Sequence, residues 1–148
     1  MPLPALKDEF DMNYVVIDTN VIVSAFLASN RRESIPLSII KAVFTGNITP
    51  VLTEEIMKEY HDVLSRKKFC FDRKLIERFL FEFKAQSVFI NPPKTNHTLP
   101  DPSDICFLEA ALVYENIGGL LVTGNTKHFP GWPFVVTPSQ LKERLDLH

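Results

Sequence analysis

The chain predicts an α/β fold: a three-layer sandwich with a central parallel sheet of four to five strands flanked by helices. Short apolar, β-branched runs alternate with amphipathic helical patterns from residue 14 to the C-terminus. Successive strand-like runs are separated by helical stretches, which demands parallel wiring. The length, 148 residues of which 45% are hydrophobic, suits one compact domain with a sizeable core, here residues 13–148. No internal repeat, low-complexity tract or linker interrupts it.

Residues 14–18 form a short buried strand, and residues 20–29 a helix. Residues 30–34 are a polar loop in which Ser34 suits an N-cap, with Pro36 in the first turn of a helix that ends at Gly46. Residues 50–53 read as a strand, and Thr53 can cap the helix that carries Glu54, Glu55 and Glu59. Asp72 caps a further helix over residues 73–86. Residues 87–90 are strand-like and stop at Pro92-Pro93. A polar loop leads to Asp101-Pro102-Ser103-Asp104 and a helix over 104–116, closed by Gly118-Gly119. Residues 120–123 and 134–137 are strands, and a short helix follows Pro138.

A net charge of −2 and 23% charged residues give no global attraction to nucleic acid, although local basic patches or bound cations can reverse the field at one site. Cys70 and Cys106 lack metal-ligand spacing and read as reduced, buried thiols of a cytosolic protein. No apolar run approaches the roughly 20 residues that span a bilayer. Residues 1–12 lack the basic start and apolar core of a signal peptide and read as a loose lead-in, with Met12 as an alternative start.

The first strand ends in Asp18-Thr19-Asn20, a carboxylate beside two uncharged oxygen donors. In a parallel sheet every strand's carboxyl end meets the same edge, where ligands bind. Thr123-Gly124-Asn125 follows a later strand and lands on that edge too, with Gly124 allowing close backbone approach or an unusual φ. The alternative is that Asp18 or Thr19 merely caps the next helix. Helical phase, about 100° per residue, puts Ile56, Met57, Tyr60, Val63 and Leu64 on one apolar arc, with Glu59 on its flank. A snorkelling boundary glutamate is the plain reading there. Asp104 shares the side of Phe107, Leu108 and Ala111, either as a cap or as a carboxylate aimed into a cleft. Three such carboxylates repel one another, and burying them unpaired is costly. A hard divalent cation, Mg²⁺ or Mn²⁺, offsets both penalties and points to phosphoryl chemistry.

Asp18-Thr19-Asn20, the segment from Thr53 to Glu59, Asp101-Pro102-Ser103-Asp104 with Phe107-Leu108-Glu109-Ala110-Ala111, and Val122-Thr123-Gly124-Asn125 together resemble PIN-domain nucleases. The nearest likeness is to VapC-like toxins of toxin–antitoxin systems, through Thr123 to Pro130. The resemblance implies a PIN-like fold and a Mg²⁺- or Mn²⁺-dependent ribonuclease for single-stranded RNA. It also implies a cytoplasmic, often homodimeric protein with a partner antitoxin. Carried over by position, the quartet is Asp18, Glu59, Asp104 and Asn125. Asn125 departs from the family, many of whose members have Asp there, and adds no charge. Asp18 and Asp104 would then hold the metal, with Glu59 holding or deprotonating the attacking water. Asn125, Asn20, Thr19, Thr123 and Asp101 would orient waters and substrate oxygens.

Arg31-Arg32 and Arg66-Lys67-Lys68, the latter flanked by Phe69 and Phe71, are candidate RNA contacts. A solvated helix end is the competing reading for Arg66-Lys67-Lys68. Leu75, Ile76, Phe79, Leu80 and Phe83 share one helix face, while Phe81 projects from the opposite one as a candidate dimer or antitoxin contact. His128 reads as a structural residue beside Phe129 and Trp132 or as an RNA contact, His61 as exposed, and His97 carries no role. Two other functions stay open. One is a PIN-like scaffold that binds RNA or protein without cutting. The other is a Mg²⁺-dependent phosphotransferase or phospho-acceptor with Asp18 as nucleophile, although such sites want an acid where Asn20 stands.

Overall fold

The structure, a computed structural model, describes residues 12–28 and 34–146. Residues 1–11 of the proposed lead-in over 1–12, and the candidate contacts Arg31 and Arg32, lie outside the described residues. Five strands, β1 (Tyr14–Ile17), β2 (Thr49–Leu52), β3 (Val88–Phe89), β4 (Leu120–Val122) and β5 (Val135–Val136), form one sheet in the order β3-β2-β1-β4-β5. Every neighbouring pair is parallel. The chain runs outward from β1 to β2 and β3, then crosses back to β4 on the other side. Strand order therefore reverses between β1 and β4, the place where open α/β sheets bind ligands.

Six helices flank the sheet among the described residues: α1 (Thr19–Leu27), α2 (Ile35–Phe44), α3 (Glu54–Leu64), α4 (Arg73–Ala85), α5 (Ile105–Tyr114) and α6 (Pro138–Leu145). The α/β sandwich with a parallel sheet stands as the sequence predicts. Three of the predicted caps also form. Ser34 Oγ accepts from Leu37 N at 3.2 Å, Thr53 Oγ1 from Ile56 N at 3.1 Å, and Asp72 Oδ1 from Lys74 N at 2.9 Å. Each satisfies a backbone donor that a helix start otherwise leaves open. Helix α5 lies along β1, β2 and β4, while α1 packs on α2 and α3. The three inner strands, β1, β2 and β4, are buried on both faces, so their core residues (Val15, Val16, Ile17, Val51, Leu52, Leu121 and Val122) run consecutively and do not alternate.

Four expectations need correction. The helix expected over 104–116 is a 3-10 turn (Pro102–Asp104), then α5, then a second 3-10 turn (Glu115–Ile117). Gly118 ends it at φ 84°, and a Cβ on Gly119 would stand 2.6 Å from Tyr114 Cβ. Leu75, at the edge of the apolar arc in the first turn of α4, is 52% exposed, while Ile76, Leu80 and Phe83 are buried. Cys70 is exposed, not buried, because it closes the 3-10 turn Lys67–Phe69 in a left-handed conformation with φ 54°. The outer strands β3 and β5 are two residues each, shorter than the runs 87–90 and 134–137.

Candidate metal centre

Asp18 occupies the N-cap position of α1, yet its side chain makes no capping hydrogen bond. Its Oδ2 instead accepts from Thr123 Oγ1 at 2.7 Å, across the gap between β1 and β4. The Thr123 hydroxyl in turn accepts from Asn125 N at 3.0 Å and lies 3.5 Å from Asn20 Nδ2. Asn20 Oδ1 accepts from Gly124 N at 2.9 Å. The two polar clusters, about a hundred residues apart in sequence, are thus knitted into one rim by three hydrogen bonds. A Cβ on Gly124 would stand 3.4 Å from Asn20 Oδ1, an ordinary contact, and its φ is not left-handed, so neither close approach nor an unusual φ requires glycine there.

Helix α3 brings Glu59 to the same edge. Tyr60, fully buried, donates from its hydroxyl to the carbonyl of Ile17, the last residue of β1. That bond ties α3 to the strand end one residue before Asp18, and it fixes where Glu59 sits. The sequence placed Tyr60 on the apolar arc without revealing its polar tether. Tyr60→Phe is expected to lower stability by about 1–2 kcal/mol, because a buried acceptor loses its donor. A chemical denaturation curve checks this, and an unchanged midpoint would show that the tether contributes nothing.

Asp104 ends the 3-10 turn before α5 and, like Asp18, makes no side-chain cap. Asp101 does the capping there, accepting from Ser103 N at 2.9 Å and Ser103 Oγ at 2.8 Å. Asp104 is 8% exposed, and its Oδ2 has no hydrogen-bond partner. His128 Nδ1 lies 3.3 Å from that oxygen, within ion-pair reach. Sequence reasoning had paired His128 with Phe129 and Trp132. Trp132 packs edge-to-face with His97, at 4.9 Å between ring centroids. The one signal for His128 was its place three residues after Asn125 on the strand-end rim.

Electrostatics tie the acids together. Burial pushes the Glu59 carboxyl up to about 7, with Asp18, Asp104 and Asp101 adding repulsion and Arg66 opposing it. Burial, then Asp18 and Asp101, push Asp104 up to about 6, with His128 pulling the other way. Asp18 is raised by burial and held back by the Thr123 hydroxyl, the Thr19 amide and His128. Asp101 is lowered by its two bonds from Ser103.

The donor set fits a hard divalent cation. Four buried side-chain polar atoms lack a partner among the described residues, and three of them are Thr19 Oγ1, Glu59 Oε2 and Asp104 Oδ2. All are oxygens, and the carboxylates among them repel one another, the condition a cation relieves. No three His, Cys, Asp or Glu side chains among the described residues stand close enough to form a ready-made metal cage. Mg²⁺ in particular is commonly bound through one or two carboxylates plus waters.

The other candidates fall at varied distances from this cluster. Asn125 is exposed, and its Oδ1 caps the 3-10 turn Thr126–His128 by accepting from Lys127 N at 3.3 Å. Arg66, Lys67 and Lys68 are exposed, and Arg66 is the member whose charge reaches Glu59. Lys68 Nζ stands 5.1 Å from the Phe69 ring centre, and Phe69 stacks on Phe71 at 5.2 Å. His61 is exposed, as read. Glu109, 4% exposed on α5, went unassigned in the sequence: it accepts from Thr95 N at 2.5 Å, with Lys94 Nζ 3.9 Å away. Those contacts strap the segment that leads to Asp101 beside a groove of about 520 Å³ lined by Glu55, Lys58, Asn91 and Cys106.

Residues 14–127 match the PIN domain family model, and the chain belongs to that family, whose members are generally hydrolytic nucleases. It is 33% identical over 114 residues to the uncharacterized protein MJ1680 of Methanocaldococcus jannaschii, a match that covers 75% of this chain and 70% of the relative. The fold is similar to the crystal structure of PAE2754 from Pyrobaculum aerophilum, with a TM-score of 0.53 and 14% identity over 97% of this chain and 99% of the other. That second likeness concerns the fold alone. No helix among the described residues is long and apolar enough to cross a membrane.

Proposed function

We propose that this protein is a Mg²⁺- or Mn²⁺-dependent endoribonuclease that cleaves single-stranded RNA, acting in the cytoplasm as the toxin of a toxin–antitoxin pair. The observation that carries the reading is the set of unpartnered oxygens on Thr19, Glu59 and Asp104 beside the buried Asp18. Unpaired buried oxygens cost about 1–3 kcal/mol each, and a site that retains three of them is built for something outside the chain.

Asp18 and Asp104 would hold the cation, with Thr123 orienting Asp18 through its hydroxyl. When bound, the ion acidifies a water and screens charge developing on the phosphate. Glu59, held near neutral pKa, is poised to accept the proton of the attacking water. Asn20 fixes the rim by holding the Gly124 amide. Arg66, Lys67 and Lys68 offer phosphate contacts, and the Phe69–Phe71 stack offers a face for an unpaired base. The products would carry 5′-phosphate and 3′-hydroxyl ends. Phe81, 78% exposed on α4, is the proposed contact for a second copy or an antitoxin.

One observation favours a second reading, a scaffold that binds RNA without cutting it: the Asn125 amide is spent on capping its own turn. Purified full-length protein incubated with single-stranded RNA in Mn²⁺, Mg²⁺ or EDTA separates the two. Cleavage with either cation and none in EDTA is expected. Cleavage that persists in EDTA contradicts the proposal, and Mn²⁺-dependent binding without cleavage would make the chain a scaffold.

A further inference from the structure

We propose that the groove at the ends of β2 and β3 receives the base of the nucleotide next to the cleaved bond, with Phe89 as its stacking face, and that it sets which base is accepted there. This rests on the ribonuclease reading above and names a contact for the same substrate. The groove, about 520 Å³, lies on the strand-end edge between the start of α3 and α5. It continues the site already described. Glu55, on its wall, precedes Glu59 by one turn, roughly 6 Å along the helix axis. Cys106, also on its wall, follows Asp104 by two residues, and the charges of Glu59, Glu55 and Asp104 all reach its thiol. Beyond the other end of α3 stand Arg66, Lys67 and Lys68 with the Phe69–Phe71 stack. Glu59 therefore lies between a basic, aromatic end and the groove, along one helix that a strand of RNA can follow.

Charge decides which part of a nucleotide the groove takes. Three acids, Glu54, Glu55 and Glu109, line it against two lysines, Lys58 and Lys94. Lys94 Nζ is already committed, at 2.5 Å from Glu55 and 3.9 Å from Glu109. With no surplus of positive charge, the groove disfavours a phosphate and suits the uncharged base. The rest of its wall offers the apolar side chains of Phe89, Ile90 and Pro92. Phe89 is 49% exposed on the edge strand β3, with Lys84 Nζ 4.9 Å from its ring centre. Single-stranded RNA is recognised through unstacked bases that lie on aromatic side chains. The groove is also held in shape before any ligand arrives. Glu109, 4% exposed, accepts from Thr95 N at 2.5 Å and so pins the segment behind Pro92 to α5.

The test uses the full-length protein, a labelled single-stranded RNA octamer, and a set of octamers in which one abasic position moves along the strand. Affinity is read by fluorescence anisotropy in EDTA, and kcat/KM for cleavage is read in Mn²⁺. In wild type, one abasic position is expected to cost about tenfold or more. Phe89→Ala should show a similar loss on the intact octamer and become indifferent to that same position, because ring and base act as one pair. Phe89→Tyr keeps the ring and should match wild type. Phe89 is half exposed, so the alanine variant should keep the wild-type melting temperature, which is checked alongside. A coupled loss in either reading supports the assignment. Equal values for wild type and folded Phe89→Ala, or losses that combine independently at every position, overturn the groove assignment and leave the ribonuclease reading standing. A wild type that neither binds nor cuts the octamer overturns both.

Discussion

Asp18→Asn is expected to lower single-stranded RNA cleavage about a thousandfold, because charge stabilisation by a bound cation is worth several kcal/mol in the transition state. The amide keeps the shape of the carboxylate and can still accept from the Thr123 hydroxyl, so the rim between β1 and β4 survives. What disappears is the buried charge. Asp18 is among the groups that raise both Glu59 and Asp104, so both should fall back towards ordinary carboxylate values in the variant. The metal-free variant should therefore melt at a higher temperature than metal-free wild type while being nearly inactive. Gained stability with lost function marks a residue kept for chemistry. Single-turnover cleavage and thermal melting in EDTA provide the two readings. Cleavage within a few fold of wild type would remove Asp18 from the reaction.

Glu59→Gln should cost 100- to 10,000-fold in cleavage, on the order of what a positioned general base contributes. Its signature in stability is a change of pH dependence. The Glu59 carboxyl is raised from 4.5 to about 7, so between those values the folded protein binds more protons than the unfolded chain. Stability of the metal-free wild type should then be greatest at the acid side of that window and fall as pH rises through it. Asp104, raised to about 6, adds a fall of the same sign. In Glu59→Gln the fall should be shallower, with Asp104 supplying what remains. Melting temperatures of both proteins in EDTA across the window decide this. Parallel curves would mean that Glu59 titrates as an ordinary surface acid.

The elements that carry the site were legible because local rules and the fold agreed. Ser34, Thr53 and Asp72 each preceded an apolar periodic run, and each caps a helix. Asp18 was ambiguous from sequence, since a residue that ends a strand and precedes a helix can serve as cap or ligand. Its bond to Thr123 and its idle cap position show that its side chain does not serve as the cap. Helix phase placed Asp104 on the inward side, where it is buried. Contacts between distant segments were not legible. The Tyr60 hydroxyl reaches Ile17, and His128 reaches Asp104, through packing that no local pattern encodes. Glu109 was hidden for the same reason: a buried acid on an apolar helix has meaning only once the Thr95 amide arrives from another segment. Leu75 shows the limit of periodicity at a helix end, where the edge of the apolar arc is left exposed among the described residues.

Mn²⁺ soaked into crystals of the wild-type protein, and located by its anomalous scattering, probes the centre itself. The arrangement of Asp18, Glu59 and Asp104 predicts one strong peak at the strand-end edge between β1 and β4, with Asp18 and Asp104 as ligands and Glu59 facing a bound water. No peak at that edge, in crystals whose protein still cleaves RNA, would contradict a metal-dependent site built on Asp18.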